Sequence, residues 1–327
     1  MSMFEFINLL RALAAALITN SHYGEIWPVT ALATGGLLGN VIFFAVSGFC
    51  LAEVKGSFFK WYGRRVLRVL PVMVLFTIFT VLIGVYPINS TEDFVRTFIF
   101  PTNYVFLVWL LVLYAVHYAV AWIEQRWGKR FLVMGVVLIA WLAVYAFVVD
   151  KSAYVVDEVH RPFILFVYFF AMQIGTILRR DAEKSTRFKP LNLILIFVTA
   201  AAYFVIKVLL GKNSALYGVQ IISQLVLLVL LYVTFVTLIS IERRLKSAPV
   251  AFRRCIGFVS KITLHVYLVQ FVIIAWFKGL VFPLNALVVT ALILVAAWLL
   301  KTIEDVVRKA IVGALCKGEK FDGKAQN

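Results

Sequence analysis

Long runs without charge recur along the chain and set its architecture. Ten of them, over residues 4–23, 34–54, 69–87, 102–122, 131–149, 162–178, 190–206, 217–240, 262–277 and 284–300, read as membrane spans. Their apolar positions run on continuously and do not alternate, which favours helices over the strands of a barrel. Helices and closed barrels are the structures that satisfy backbone polar groups inside lipid. The pattern therefore predicts an all-α integral membrane protein with about ten transmembrane helices. No loop between spans is longer than about 20 residues, so the chain reads as one membrane domain over 1–310 and a polar cytoplasmic tail over 311–327. The end of that tail, KGEKFDGKAQN, is polar with two glycines and is expected to be irregular. Pro71, Pro101, Pro162 and Pro283 fall near the expected span starts, where a missing backbone donor costs least. The first run lacks the basic flank and small-residue cleavage site of a signal peptide and is read as a retained helix.

Composition strengthens this picture. The chain is 63% hydrophobic and 15% charged, with mean hydropathy +0.96, well beyond what a soluble core requires. A net charge of +16 would fit a nucleic-acid binder, but its distribution does not. The loops 55–68, 126–130, 179–189 and 243–261 and the tail from Lys301 hold 25 of the lysines and arginines, against six on the other side: Arg96, Lys151, Arg161, Lys207, Lys212 and Lys278. That asymmetry follows the positive-inside rule and predicts both termini in the cytoplasm. Cys50, Cys255 and Cys316 are far apart, without the spacing of a zinc site or disulfide framework, and read as small apolar fillers.

The candidate chemistry begins with Arg11 and His22, separated by ten residues in the first run. Eleven helical steps turn about 1100°, within about 20° of three revolutions, and rise roughly 16.5 Å. One helix face thus carries a fixed cation and a titratable imidazole at two depths. An intramembrane arginine costs at least ~2.5 kcal/mol and usually faces a protein interior or wet cavity. In the second run, GGLLGNVIFFAVSGFCLA, small residues permit close helix packing, or Ser47 and Gly48 open a narrow polar site beside the first helix. The segment FFKWYGRRVLRVLP sets Arg65 and Arg68 on one helical face, with Arg64 on the same side. It is either an interfacial anchor or a clamp for phosphates, which guanidinium groups hold through paired donors.

Arg11-x10-His22, the glycines and FFAVSGF of the second run, and Arg64-Arg65-x-x-Arg68 ahead of Pro71 together resemble the membrane acyltransferase 3 family. NYVFLVWLLVLY (103–114) and GFVSKITLHVYLVQ (257–270) are similar to that family's fourth and ninth helices. The resemblance implies transfer of an acyl group, usually acetyl, from cytoplasmic acyl-CoA to a hydroxyl of a glycan or other acceptor. It implies a catalytic His22, with Arg11, Arg65 and Arg68 serving the donor, in the cytoplasmic membrane of a bacterium. It implies no permanently bound cofactor; acyl-CoA is a substrate. The chain departs from the family pattern at Val41, where Asp is frequent, and at Gln270, where His is frequent. With no hydrolase-like domain attached, final transfer falls to this domain or to a separate protein.

The chemistry stands independently of the resemblance. A thioester is an activated donor, and a sugar hydroxyl needs a proton acceptor, a role suited to neutral imidazole. Glu25 would orient the His22 ring if the helix continued to it, although Gly24 and Pro28 point to a helix end. His117, near Tyr114, is a candidate for the same cavity or for a packing role; His160 is read as interfacial and His265 as lying near the inner end of its helix. Ser47 and Gln270 complete the candidate cavity residues. Four scattered histidines predict no metal site. Two other classes compete: a transporter of an anionic or acylated solute, which would also use intramembrane Arg and His, although no inverted repeat is evident, and a structural or lipid-binding membrane protein, which explains the basic loops but not the aligned Arg11–His22 pair. The acceptor is open among a lipid-linked sugar, a surface polysaccharide and a small exported metabolite.

Overall fold

The computed structural model describes residues 4–99, 104–182, 188–277 and 281–322, with side chains of the last stretch described to Lys309. Ten helices form on the ten apolar runs: α1 (Glu5–Ser21), α2 (Gly36–Cys50), α3 (Phe58–Leu82), α4 (Val105–Trp127), α5 (Arg130–Phe147), α6 (Ile164–Asp181), α7 (Leu191–Lys212), α8 (Ile221–Ser240), α9 (Val250–Phe277) and α10 (Leu284–Asp322). The described residues contain no strand. Among the described residues, eight helices are long and apolar enough to cross a membrane. The other two are α1, whose 17 residues rise about 25 Å, and α6, which closes on Arg179, Arg180 and Asp181.

Several helices outrun their apolar runs, because lipid limits where side chains must be apolar and not where a backbone can stay helical. α3 starts at Phe58, eleven residues before the expected span, and takes in the whole aromatic and basic segment. Pro71 therefore sits inside a helix, not at its start. Pro162 and Pro283 do precede helices, while Pro101 lies outside the described residues. α9 begins at Val250 and absorbs much of an expected loop. α10 continues to Asp322, so the polar end expected to be irregular is helical to that residue. Its exposed part carries the local pairs Lys301–Asp305 and Arg308–Asp305, the spacing that supports a helix surface.

The core centres on α1, which packs between α2 and α9, while α2 lies against α6 and α9 against α10. α5 and α7 are peripheral, with buried side chains limited to Arg130, Trp141 and Tyr145 on one and Tyr203 and Leu210 on the other. Large apolar residues such as Leu82, Phe147 and Phe197 face outward, as a lipid-facing surface requires. The closest helix contact joins α2 to α6. A Cβ on Gly48 would lie 1.9 Å from the Met172 carbonyl oxygen, and one on Gly175 would lie 1.8 Å from that of Ala45. Of the two readings of the Ser47–Gly48 step, Gly48 takes the packing one.

Candidate functional site

Three sets of contacts fix α1, the helix that carries both Arg11 and His22. At its start, the Glu242 carboxylate accepts from the backbone N–H of Glu5 at 3.0 Å and of Phe6 at 2.9 Å. These are donors with no partner inside the helix, at its positive end. Along its length, Gly36 and Gly39 bring α2 close. A Cβ on Gly39 would meet Ile18 Cγ1 at 2.7 Å and the Ala14 carbonyl at 2.8 Å. At its end, Asn20 Nδ2 donates to the carbonyls of Leu32 and Thr34, and Trp27 Nε1 donates to Asn20 Oδ1. This network turns the chain away after Ser21. His22 is the capping residue and keeps a near-helical backbone, with φ −96° and ψ −1°. Glu25 lies beyond the helix in a turn, so the helical continuation that would set it below the ring is absent.

On the face with the basic loops, a chamber of about 200 Å³ gathers Arg11, Ser47, Arg65 and Arg68. The expected donor residues thus converge although they come from α1, α2 and α3. Arg11 Nη2 donates to Cys50 Sγ at 3.5 Å, so Cys50 is a chamber residue and not an apolar filler; Cys255 is exposed. Arg65 is half-buried with its guanidinium 5.2 Å from the Trp61 ring centre, and its Nε has no protein partner. Arg68 is exposed. Lys261, Lys301 and Arg308 line the same chamber, three cations that in the sequence count only as membrane anchors. His265 also lines it, with Nε2 2.8 Å from Glu304 Oε2. An adjoining chamber of about 290 Å³ shares Cys50 and Arg65 and adds Lys55, Arg64 and Arg179.

A chamber of about 600 Å³ opens on the opposite face and contains His22, which is exposed to it. The His22 ring packs edge-on against Phe271, with ring centres 4.6 Å apart. Asn40, Asp157, His160 and Lys207 line the same space. His160 therefore joins the site, although in sequence it reads as an interfacial residue. Asp157 and Lys207, which sequence reading passes over, form an ion pair at 2.9 Å. Their only signal in the chain is that they fall in segments at the same end as His22.

Between the two faces lies a constriction of about 10 Å³. Phe43, Thr263 and Leu264 belong both to it and to the basic chamber. Ile18, Phe106 and Tyr267 belong both to it and to the His22 chamber. The three spaces are thus arranged in series along α1. Gln270 sits at the constriction, fully buried, and its Oε1 accepts from Thr19 Oγ1 at 2.7 Å. It joins α9 to α1 three residues before His22, and Phe271, the next residue on α9, packs against the His22 ring.

His117 does not share either chamber. It is buried in α4, with Nε2 2.9 Å from the Leu51 carbonyl oxygen and its ring stacked on Trp61. Burial and that bond give it the packing role of its two readings, and it leaves the candidate cavity set. The cause is rotation: Tyr114, on the same helix, faces the basic chamber, whereas His117 turns toward the loop after α2.

The profile of the family Acyl_transf_3, described as an acyltransferase domain, matches residues 4–302. No curated protein and no solved structure matches the chain.

Proposed function

We propose, from the premise that this chain belongs to the Acyl_transf_3 family of acyltransferase domains, that it transfers an acetyl group from acetyl-CoA to a hydroxyl of a glycan or lipid-linked sugar. Membership makes the protein a multi-pass membrane acyltransferase; the donor, the acceptor and the residue roles are the proposal. It is supported chiefly by one observation, the three cavities in series along α1 with Arg11 at the basic end and His22 at the other.

In this reading the nucleotide end of acyl-CoA stays in the basic chamber. Arg65 holds a phosphate through paired donors, with Arg68, Lys261 and Lys301 adding charge. The thin pantetheine arm passes Arg11 and enters the constriction by Phe43 and Phe106. The acceptor hydroxyl waits in the opposite chamber. Its oxygen attacks the thioester carbonyl while a nitrogen of neutral His22 takes its proton. The carbon–sulfur bond then breaks, and the leaving thiolate takes up a proton to give CoA thiol. General-base assistance of this type contributes about 10²–10⁴-fold. Gln270 holds the end of α1 through Thr19 and acts as a positioning residue. The bacterial cytoplasmic membrane, with both termini inside, places the basic chamber where acyl-CoA is made.

Purified protein in liposomes supplied with acetyl-CoA and a glycan extract should release CoA thiol, and His22→Ala should lower that release by at least ~10² with acetyl-CoA binding retained. Near-normal release by a correctly inserted His22→Ala protein would remove His22 from the chemistry. Solute movement without thiol release would favour a transporter.

A further inference from the structure

The chamber around His22 contains a second built feature. Among its described lining residues the only carboxylate and the only ammonium are Asp157 and Lys207, joined at 2.9 Å through Asp157 Oδ2. The Tyr154 hydroxyl donates to the same oxygen. Asp157 Oδ1 is buried and has no protein partner. A carboxylate oxygen left this way costs stability unless something donates to it.

The segment that carries Asp157 is fixed through its backbone. Gln220 Oε1 accepts from the N–H of Val155 at 2.9 Å and of Val156 at 3.2 Å, and its Nε2 donates to the Ala153 carbonyl at 3.1 Å. Gln224 Nε2 donates to the Val156 carbonyl at 2.6 Å. Both glutamines are fully buried on or beside α8. Four bonds therefore hold the segment independently of the Asp157 side chain.

We propose that the Asp157–Lys207 pair selects the acceptor by charge: the chamber accepts a group that is uncharged at its reacting end. The proposal rests on the acyltransfer reading for the word acceptor, but the selection itself is a binding property. The pair cancels within the chamber, so a carboxylate or ammonium group on the entering molecule finds no unpaired counter-charge. A polyol finds the Asn40 side chain and the aromatic rings of Phe106 and Tyr267. Specificity of this kind is a difference of affinities set by unpaired charge.

The test uses three probes at pH 7: methyl glucoside, methyl glucuronide and methyl 6-amino-6-deoxyglucoside. Their binding to the full chain in lipid nanodiscs is measured by saturation-transfer NMR. Wild type should bind the neutral glucoside best. Asp157→Asn leaves Lys207 unmatched and should raise the glucuronide-to-glucoside affinity ratio at least about tenfold. Lys207→Gln should raise the ratio for the amino sugar by a similar factor. The double variant should return to the neutral preference. Acetyl-CoA binding on the same samples identifies a variant that has lost its fold, and the remaining variants then carry the comparison. Ratios unchanged in folded variants, or a wild type that prefers a charged probe or binds none, would overturn the proposal. Charge selection without any thiol release would instead sink the acyltransfer reading alone.

Discussion

Arg65 and Arg68 lie three residues apart on α3 and both line the basic chamber, yet their surroundings predict unequal roles. Arg65 is half-buried, stacks on Trp61 at 5.2 Å, has an Nε with no protein partner, and lies where the two basic chambers meet. Arg68 is exposed. In Arg65→Lys the charge stays while the planar fork is lost. Loss of one charge-assisted bond in a partly dehydrated place costs about 1.5–3 kcal/mol, or roughly ten- to hundredfold in acetyl-CoA affinity. For Arg68→Ala the exposed setting limits the effect to about 0.2–1 kcal/mol, less than about sixfold. Ionic strength separates them further, because exposed charges are screened over a Debye length of about 8 Å at physiological salt and buried ones much less. Equilibrium binding of labelled acetyl-CoA to matched, correctly inserted proteins, at low and high salt, reads both numbers. The Arg68 effect should fade with salt and the Arg65 effect should persist. Equal affinity for wild type and Arg65→Lys, or a larger loss at Arg68 than at Arg65, would refute the donor-clamp reasoning and leave the segment as a membrane anchor.

Gly48→Ala places a methyl group 1.9 Å from the Met172 carbonyl oxygen; since backbone must shift, a loss of at least about 1–3 kcal/mol is expected, visible as a lower unfolding temperature in detergent, and an unchanged temperature would contradict the close α2–α6 contact. Gln270→Leu keeps volume but strands the buried Thr19 hydroxyl, so kcat should fall with little change in KM for acetyl-CoA; a normal kcat would remove the positioning role of Gln270. With the native cysteines replaced, a membrane-impermeant thiol reagent applied from outside should label cysteine introduced at the exposed Ser152 and not at the exposed Ser247. The opposite labelling would invert the face assigned to the donor.

Whatever depends on neighbours along the chain was legible in the sequence. The apolar runs mark where ten helices form, because a helix satisfies its own backbone inside lipid. Arg11 and His22 could be placed on one helix at two depths because eleven residues of helix have a fixed rise and rotation. Helix ends were less legible: α3, α9 and α10 run on past their apolar stretches, since hydropathy marks the lipid boundary and not the last hydrogen bond. The tertiary structure alone decided which polar residues meet. It turned His117 into the packing around Trp61 and the Leu51 carbonyl. It brought Lys261, Lys301 and Arg308 to Arg11 and set Asp157, His160 and Lys207 around His22. Those groups come from different helices and loops, and their meeting depends on how each helix is rotated about its axis. That rotation is set by contacts such as Gly39 on Ala14, Gly48 on Met172 and Gln270 on Thr19, whose partners a single sequence does not name.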